Sequence, residues 1–516
     1  MDIVYNMTMG RRYGYLFFGL VGLMVVYYWV RGVVMLDPDF GWHIRMGQLI
    51  LSKGIPATDP FSYTMPSYPF VAHEWLTDIL LVWLLSVIGY AGLAGVFTLI
   101  ALGAALLQWR ALSKQQRQFV FIPLFLIVMV LGIFFGVRPQ VISWFFFSFI
   151  LFIVRDLGHF RKWRLWLPVV FLVWANLHGG FPVGLAVLLA ASVYWLFKGK
   201  YPVFIAIALF LLSVGATFIT PYGWRTWWEV WMTMGDGSLR WNILEWMPAI
   251  VILYFSFWTF FVFSIFFVIR YIKKFIFLDI FLYFGFLAAA FSSVRHIPLW
   301  AIIALPMTTQ GLFFLHQEAA KIQYGSIRLA KALKGFFIII FVISVLELLP
   351  AILPVSGQNA AYPQKSVGYL NLHMPKGQIF SSYDWGGYLI WKLQEKKVFV
   401  DGRMPSWRWE AHIPGESDYA FYEYQKFLRG ELSFRSIVSK YGISTLLLPV
   451  EKDDQGLLVW QMARFDNFVK KSLHIKPGKE MGFSKVVIAA KKAGWVVVYK
   501  DKNVVIYQDK AREAGL

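Results

Sequence analysis

The sequence predicts an α-helical polytopic membrane protein with a soluble α/β domain at its C-terminal end. Of its 516 residues, 58% are hydrophobic and only 15% are charged, whereas soluble domains carry about 25% charged residues. Apolar stretches long enough to cross a bilayer recur along residues 1–355. From Ser356 onward, short segments rich in β-branched residues alternate with polar helical stretches, which is typical of a small α/β domain.

The membrane part is predicted to contain about eleven transmembrane helices. Their expected ranges are 13–36, 79–107, 119–136, 140–154, 165–177, 181–197, 201–219, 249–269, 275–291, 297–315 and 335–354. The first apolar stretch is too long for a signal-peptide core and lacks a small-x-small cleavage site, so we interpret it as a retained anchor.

Basic residues follow every second predicted helix. Lys114, Lys162, Lys273 and Lys331 mark these loops, which the positive-inside rule assigns to the cytoplasm. The pattern predicts a multi-pass protein of the cytoplasmic (inner) membrane, with a cytoplasmic N-terminus and an extracytoplasmic C-terminal domain. It also explains the net charge of +20 as a topology signal, so we expect no nucleic-acid partner. The sequence has no cysteine, which excludes disulfides and thiolate chemistry.

The C-terminal domain is expected to span residues 356–516. Strands are predicted at Val398–Val400, Thr445–Leu448, Val486–Ile488 and Val496–Tyr499, with helical structure in 417–440.

Two strings stand out within this domain, Tyr383–Tyr388 and Asp401-Gly402-Arg403. Asp-Gly is ordinary turn chemistry, so a structural role is favoured for both.

Ionisable residues gather in the first extracytoplasmic loop, residues 37–78. Asp37 and Asp39 lie where the first helix leaves the bilayer, and His73 and Glu74 lie where the second helix begins. Ionisable groups at such a depth are costly and suggest a functional site. The other outward-facing candidates are His43, Arg138, His178, Tyr222, Glu245, Arg295 and His296.

The string Asp37-Pro38-Asp39, followed by an amphipathic segment with His43 and Ile50, resembles the GT-C superfamily of polytopic glycosyltransferases. Further strings shared with prokaryotic members are Asp59-Pro60-Phe61-Ser62, His73-Glu74-Trp75, Pro221-Tyr222-Gly223, Arg295-His296-Ile297-Pro298 and Asp384-Trp385-Gly386-Gly387-Tyr388. The resemblance covers both the membrane part and the C-terminal part.

The resemblance implies a membrane glycosyltransferase that takes its sugar from a polyprenyl phosphate and places Asp39 at the catalytic position. Phe40 stands where a second acid can follow, so Asp37 or Glu74 is the expected substitute. The acceptor is a lipid, a glycan or a protein, and membrane lipids are further partners.

The chemistry requires a base for the acceptor hydroxyl and cations for the leaving phosphate. Asp39 suits the first task, and Arg295, with His296 or Arg138, suits the second through charge-assisted hydrogen bonds. A single displacement inverts the anomeric carbon.

The remaining polar residues of this face, His43, His73, His178, Tyr222 and Glu245, are expected to contact the substrate or a metal ion. The acids and imidazoles include ligands suited to a divalent metal, but their spacing matches no specific metal motif, so metal dependence stays open.

Two other classes of function fit the same chain. A transporter or flippase needs polar groups at mid-helix depth, for which Asp279 and Glu347 are the main candidates. A non-catalytic assembly or receptor subunit would use the membrane part only to display the C-terminal domain.

Overall fold

The computed structural model describes residues 2–200, 202–237, 239, 243–251, 254–352, 362–450 and 482–514. The chain is mostly helical, with one small sheet near its C-terminal end. The helices of the membrane part are α1 Asp2–Val34, α2 Phe40–Lys53, α3 Trp75–Arg110, α4 Phe121–Phe134, α5 Gln140–Val154, α6 Leu157–Trp163, α7 Leu167–Leu177, α8 Phe181–Phe197, α9 Val203–Ala216, α10 Trp224–Gly235, α11 Phe255–Arg270, α12 Phe277–Ser292, α13 Ile297–Ala319 and α14 Gly325–Ile352.

Most of the predicted membrane helices lie close to observed ones, and three differences are clear. Helix α1 begins at Asp2 rather than at 13. The aromatic segment 220–248, predicted as a loop, contains helix α10. Helix α14 begins at Gly325 rather than at 335, because Lys and Arg are good helix formers and extend a helix beyond its apolar run. The predicted end of the last helix at 354, like the domain boundary at 355–356, lies outside the described residues.

Within the described residues, three helices are long and apolar enough to cross a membrane. They are Trp75–Arg110, Val294–Ala319 and Gly325–Glu347, and the bent pair α5 and α6–α7 adds a fourth if it forms one span. The other apolar helices are shorter. These helices support a membrane location, and the count of eleven spans stays a prediction.

The chain folds into two compact units. The first contains Met1–Leu36, Trp83–Trp231 and Gly237–Gly357, and the second contains Asp37–Val82, Met232–Asp236 and Gln358–Leu516.

The core of the first unit surrounds α13, whose residues from Ile297 to Thr309 are buried. A polar network joins its helices: Arg155 Nε lies 2.7 Å from Asp279 Oδ1, and Arg155 Nη1 donates to Gln108 Oε1. Gln108 in turn donates to Ser148. Each charge therefore has a partner, as burial in an apolar bundle requires.

The second unit contains a four-stranded sheet, made of β1 Gln378–Ser381, β2 Ile443–Pro449, β3 Val496–Lys500 and β4 Val504–Gln508. Its order is β1-β2-β4-β3, with β1 parallel to β2 and the other two pairings antiparallel. The surrounding helices are α15 Gln364–Leu372, α16 Gly386–Lys392, α17 Ala420–Leu428, α18 Phe434–Tyr441, α19 Ser484–Lys492 and α20 Lys510–Ala514.

The sheet confirms two of the predicted strands and corrects two. Thr445–Leu448 and Val496–Tyr499 lie in β2 and β3, whereas Val486–Ile488 lies in helix α19. Val486 is buried in this short helix and Ile488 is exposed, and tertiary packing overrides the weak local preference of β-branched residues for a strand. Val398 makes only an isolated bridge, to Ser62.

The first loop packs against the C-terminal segment inside this second unit. Val398 N donates to Phe61 O and Tyr63 N donates to Val398 O. The ring of Tyr68 stacks on that of Trp407, with ring centroids 4.7 Å apart. Segments more than three hundred residues apart in sequence therefore form one hydrogen-bonded body.

Candidate functional site

The two acids at the end of α1 have different roles in the backbone. Asp37 Oδ1 accepts a hydrogen bond from the N–H of Asp39 at 3.0 Å, which closes a turn around Pro38. Asp39 is the residue before α2, and its carbonyl accepts the N–H of His43 at 3.2 Å. Asp37 is buried and Asp39 half-buried. The first acid therefore shapes the turn, and the second lies at its accessible side.

Helix α2 holds the Asp39 carboxylate through Trp42, one turn further along. Trp42 Nε1 donates to Asp39 Oδ1 at 3.0 Å. Helix α2 itself is fixed by two close contacts, since a side chain at Gly41 would overlap Gly387 of α16 and one at Gly47 would overlap the carbonyl of Asp78. The acid is thus mounted on a rigid element, as a precise site requires.

His43 follows Trp42 in α2 and is part of a chain of ionisable groups, most of which are buried. Its ring lies against that of Trp42, with centroids 3.6 Å apart and the ring planes tilted by 31°. Nδ1 lies 2.6 Å from Asp78 Oδ1, and Nε2 lies 3.5 Å from Glu74 Oε2. His73 Nε2 follows at 3.7 Å from Glu74 Oε1. We call His43, His73, Glu74 and Asp78 the imidazole–carboxylate chain.

The chain brings together residues that the sequence analysis named separately, and it adds one that was missed. Asp78 is fully buried in the first turn of the apolar helix α3. An acid at the start of a membrane-length helix is the sequence signal that could have identified it. A proton shared between His43 Nδ1 and Asp78 Oδ1 satisfies both atoms and orients the imidazole, as in carboxylate–histidine pairs of other sites.

In the part of the chain that the structure describes, no group of three or more His, Asp or Glu side chains is arranged to hold a metal ion. His43 Nδ1 lies 2.6 Å from Asp78 Oδ1, and the expected contact of His43 with a substrate or metal ion stays a prediction.

The predicted phosphate-binding arginines lie in the first unit and meet at Glu245. Arg138 Nη2 forms an ion pair with Glu245 Oε1. The Arg295 guanidinium lies 4.3 Å above the ring of Trp246, and Ser293 Oγ donates to the Glu245 carbonyl. Burial acts to raise the pKa of Glu245, but the charges of Arg138 and Arg295 outweigh it and lower that pKa. Two cations and one anion leave this arginine cluster with a net positive charge.

His296 follows Arg295 in the short 3-10 turn Val294–His296. Its Nδ1 atom is buried and has no hydrogen-bond partner within the described ranges. A buried polar atom without a partner is rare in folded proteins, which keeps His296 a candidate for ligand binding.

His178 ends helix α7 and has a defined proton arrangement. Ser143 Oγ accepts from Trp174 Nε1 at 2.7 Å, so its hydroxyl hydrogen points to His178 Nδ1 at 2.6 Å. Gly180 N–H also donates to this Nδ1. Because Nδ1 accepts twice, the neutral ring carries its proton on Nε2.

Tyr222 lies in the turn before α10, and its backbone carbonyl accepts the N–H of Arg225. Of the predicted site residues, Asp37, Asp39, His43, His73 and Glu74 therefore belong to the second unit, and the others belong to the first. The predicted pairing of Arg295 with Asp39 across a cavity stays a prediction.

A second missed residue is Arg403, whose side chain is buried in the second unit. It forms ion pairs with Asp59 and Asp401, at 2.8 and 2.7 Å. The string Asp401-Gly402-Arg403 had been interpreted as turn chemistry, and it does form a turn, since Arg403 N donates to Asp401 Oδ1. Nothing in the local sequence indicated the partner Asp59.

No protein-family model and no curated protein matches the chain. Solved structures do match. The oligosaccharyltransferase of Archaeoglobus fulgidus, tethered with an acceptor peptide containing the NVT sequon, aligns at a TM-score of 0.53 and 11% identity, over 83% of this chain and 68% of that one. The same enzyme, AglB, in complex with an inhibitory peptide and a dolichol-phosphate aligns at 0.52 and 11%, over 84% and 69%.

A third match spans nearly the full length of both proteins. ArnT from Cupriavidus metallidurans, in the apo state, aligns at a TM-score of 0.51 and 13% identity, over 95% of this chain and 96% of that chain. At such identities the likeness establishes the fold. The chain has the same fold as AglB and ArnT.

Proposed function

We propose that the chain is a membrane glycosyltransferase that moves a sugar from a polyprenyl phosphate to an extracytoplasmic acceptor. The observation that carries the proposal is the placement of Asp39 in a chain with this fold. Asp39 directly precedes α2, and its half-buried carboxylate accepts a hydrogen bond from the indole N–H of Trp42. One relative with this fold was solved with a dolichol-phosphate, a phosphate on a polyprenyl chain, which supports a donor of this class.

In the proposed reaction, Asp39 takes the proton of the acceptor hydroxyl while the oxygen attacks the anomeric carbon. The bond from that carbon to the donor phosphate breaks, and the phosphate leaves with the electron pair. A single displacement inverts the configuration. Arg295 and Arg138 stabilise the negative charge that grows on the phosphate, with His296 as a further donor.

The imidazole–carboxylate chain connects His43 of α2 with the half-exposed His73 through Glu74. In this scheme Asp37 contributes by closing the turn before α2. It is therefore less important for the chemical step than Asp39. The sugar and the acceptor, whether lipid, glycan or protein, are to be identified by experiment.

The transporter alternative depended on two acids within helices, and both have structural partners. Asp279 forms an ion pair with Arg155, and Glu347 Oε2 accepts the N–H of Ser256. These contacts account for both acids as bonds between helices. The remaining alternative is a non-catalytic subunit. Release of polyprenyl phosphate by the purified chain distinguishes an enzyme from such a subunit.

The test uses the purified full chain in nanodiscs with a panel of polyprenyl-phosphate sugars and, as acceptors, membrane extracts that contain lipids, glycans and proteins. Mass spectrometry of released polyprenyl phosphate detects turnover whatever the acceptor is. We expect release by the wild type and a loss of about 10²–10⁴ in rate for Asp39→Asn, which keeps the size of the side chain but cannot take the proton. Normal release by Asp39→Asn, at equal protein level, refutes the assignment of the base.

A further inference from the structure

The turn Asp401-Gly402-Arg403 lies directly against the Asp39 carboxylate, although the two are far apart in sequence. A Cβ atom built on Gly402 would overlap Oδ1 of Asp39. The same Oδ1 atom accepts the hydrogen bond of Trp42 Nε1. The position of this oxygen is therefore limited on one side by an indole donor and on the other by a residue without a side chain.

The turn that carries Gly402 is held by a buried arginine fork. Arg403 Nε and Nη2 donate to the two oxygens of Asp401 at 2.8 and 2.7 Å, and Nη1 donates to Asp59 Oδ1 at 2.8 Å. Only 3% of the Arg403 side chain is exposed. Burial acts to lower the pKa of Arg403, but Asp401 and Asp59 outweigh it and hold that pKa above its ordinary value.

Aromatic rings surround the same guanidinium. Its carbon lies between 5.0 and 5.9 Å from the ring centroids of Trp42, Phe61, Phe70 and Trp407, within the range of cation–π attraction. Trp42 thus contacts both Asp39 and the group that holds the turn. Arg403 is therefore held by the bidentate pairing with Asp401, by Asp59 and by these rings. Together these contacts fix the turn in one geometry.

We propose that Gly402 is a positioning residue for Asp39, and that the C-terminal segment supplies one wall of the acid site through it. The absence of a side chain leaves room for the carboxylate orientation that Trp42 selects, and Arg403 keeps the turn in place. This inference rests on the proposed function for its effect on turnover, but the contact itself is tested separately. Gly402 has no reacting group of its own in this scheme and acts through Asp39.

The experiment compares Gly402→Ala with a matched control, Gly368→Ala. Gly368 lies in α15 of the same unit, and a Cβ atom there meets no other atom within 4 Å. Both variants are measured as full chains in nanodiscs, by release of polyprenyl phosphate and by hydrogen–deuterium exchange of peptides covering 37–45, 59–68 and 443–449.

For Gly402→Ala we expect kcat to fall by about tenfold to a hundredfold with KM within about twofold, because a displaced base weakens the chemical step more than binding. Exchange should rise in 37–45 and stay unchanged in the other two segments. Gly368→Ala should match the wild type in every measurement. Arg403→Lys, which keeps the charge but loses the fork, should lower kcat in the same direction.

Wild-type kcat and wild-type exchange in Gly402→Ala would overturn the inference. So would an equal rise of exchange in all three segments, since that pattern reports general loosening of the unit. If the wild type releases no polyprenyl phosphate from any donor in the presence of lipid, glycan and protein acceptors, the proposed function fails. The exchange of 37–45 then still decides whether Gly402 positions Asp39.

Discussion

The Nδ1 atom of His43 lies 2.6 Å from the Oδ1 atom of Asp78, and both side chains are buried. The two residues come from α2 and from the first turn of α3. Their contact joins the acid-bearing helix to a membrane-length helix. A proton shared between them fixes the imidazole that faces Glu74.

A double-mutant cycle on this pair tests its energetic role. His43→Gln and Asp78→Asn should each lower the unfolding temperature, because each leaves a buried polar group without its charged partner. The double variant should lose less than the sum of the two, with an interaction energy of about 0.5–3 kcal/mol. Thermal unfolding of the purified chain measures it, and strictly additive losses would contradict the coupling.

Substitutions at Asp37 test whether this residue stabilises the turn before α2 or acts as the general base. Its Oδ1 accepts the Asp39 N–H, and an asparagine keeps that acceptor. Asp37→Asn should therefore retain turnover within about tenfold, whereas Asp37→Ala, which loses the turn, should lower both turnover and thermal stability. The polyprenyl-phosphate release assay measures the first quantity. An inactive Asp37→Asn beside an active Asp39→Asn would reassign the base to Asp37.

Glu245 competes with the donor phosphate for Arg138 if the arginine cluster binds the donor. Glu245→Gln removes that anion, so we expect the donor to bind more tightly, with a Kd lower by about threefold to tenfold. Arg138→Gln should have the opposite effect, because it removes a cation that pairs with phosphate. Binding of a fluorescent polyprenyl phosphate in nanodiscs measures both. Unchanged affinity in both variants would place the donor phosphate elsewhere.

Topology is tested by single cysteines, for which the chain is suited because it contains none of its own. Cysteines at Lys114, Lys162, Lys273 and Lys331 should resist a membrane-impermeant maleimide in intact cells, since basic loops stay in the cytoplasm. A cysteine at Glu416 should be labelled. Labelling at 162 together with protection at 416 would reverse the orientation.

The sequence by itself predicted the positions of most of the apolar helices, because a long apolar run has few alternatives to a helix in a bilayer. The number of membrane spans stays a prediction. It also determined which acid begins α2, since Pro38 separates Asp37 from the helix and Asp39 directly precedes it. The strand at Val496–Tyr499 followed from its β-branched composition, and the strand at Thr445–Leu448 followed from its short apolar run. Val486–Ile488 did not follow, because strand and helix preferences differ by little in so short a segment.

Only the tertiary structure decided the partners. His43 and Asp78 are 35 positions apart, and Asp59 and Arg403 are 344 apart. Neither helical nor strand periodicity relates residues at such separations. The interpretation of Asp401-Gly402-Arg403 as a turn was sound in local terms, yet its place against Asp39 depends on a buried ion pair between distant segments. Electrostatic and packing contacts of this kind form only when the chain closes on itself, which is why they cannot be derived from local sequence patterns.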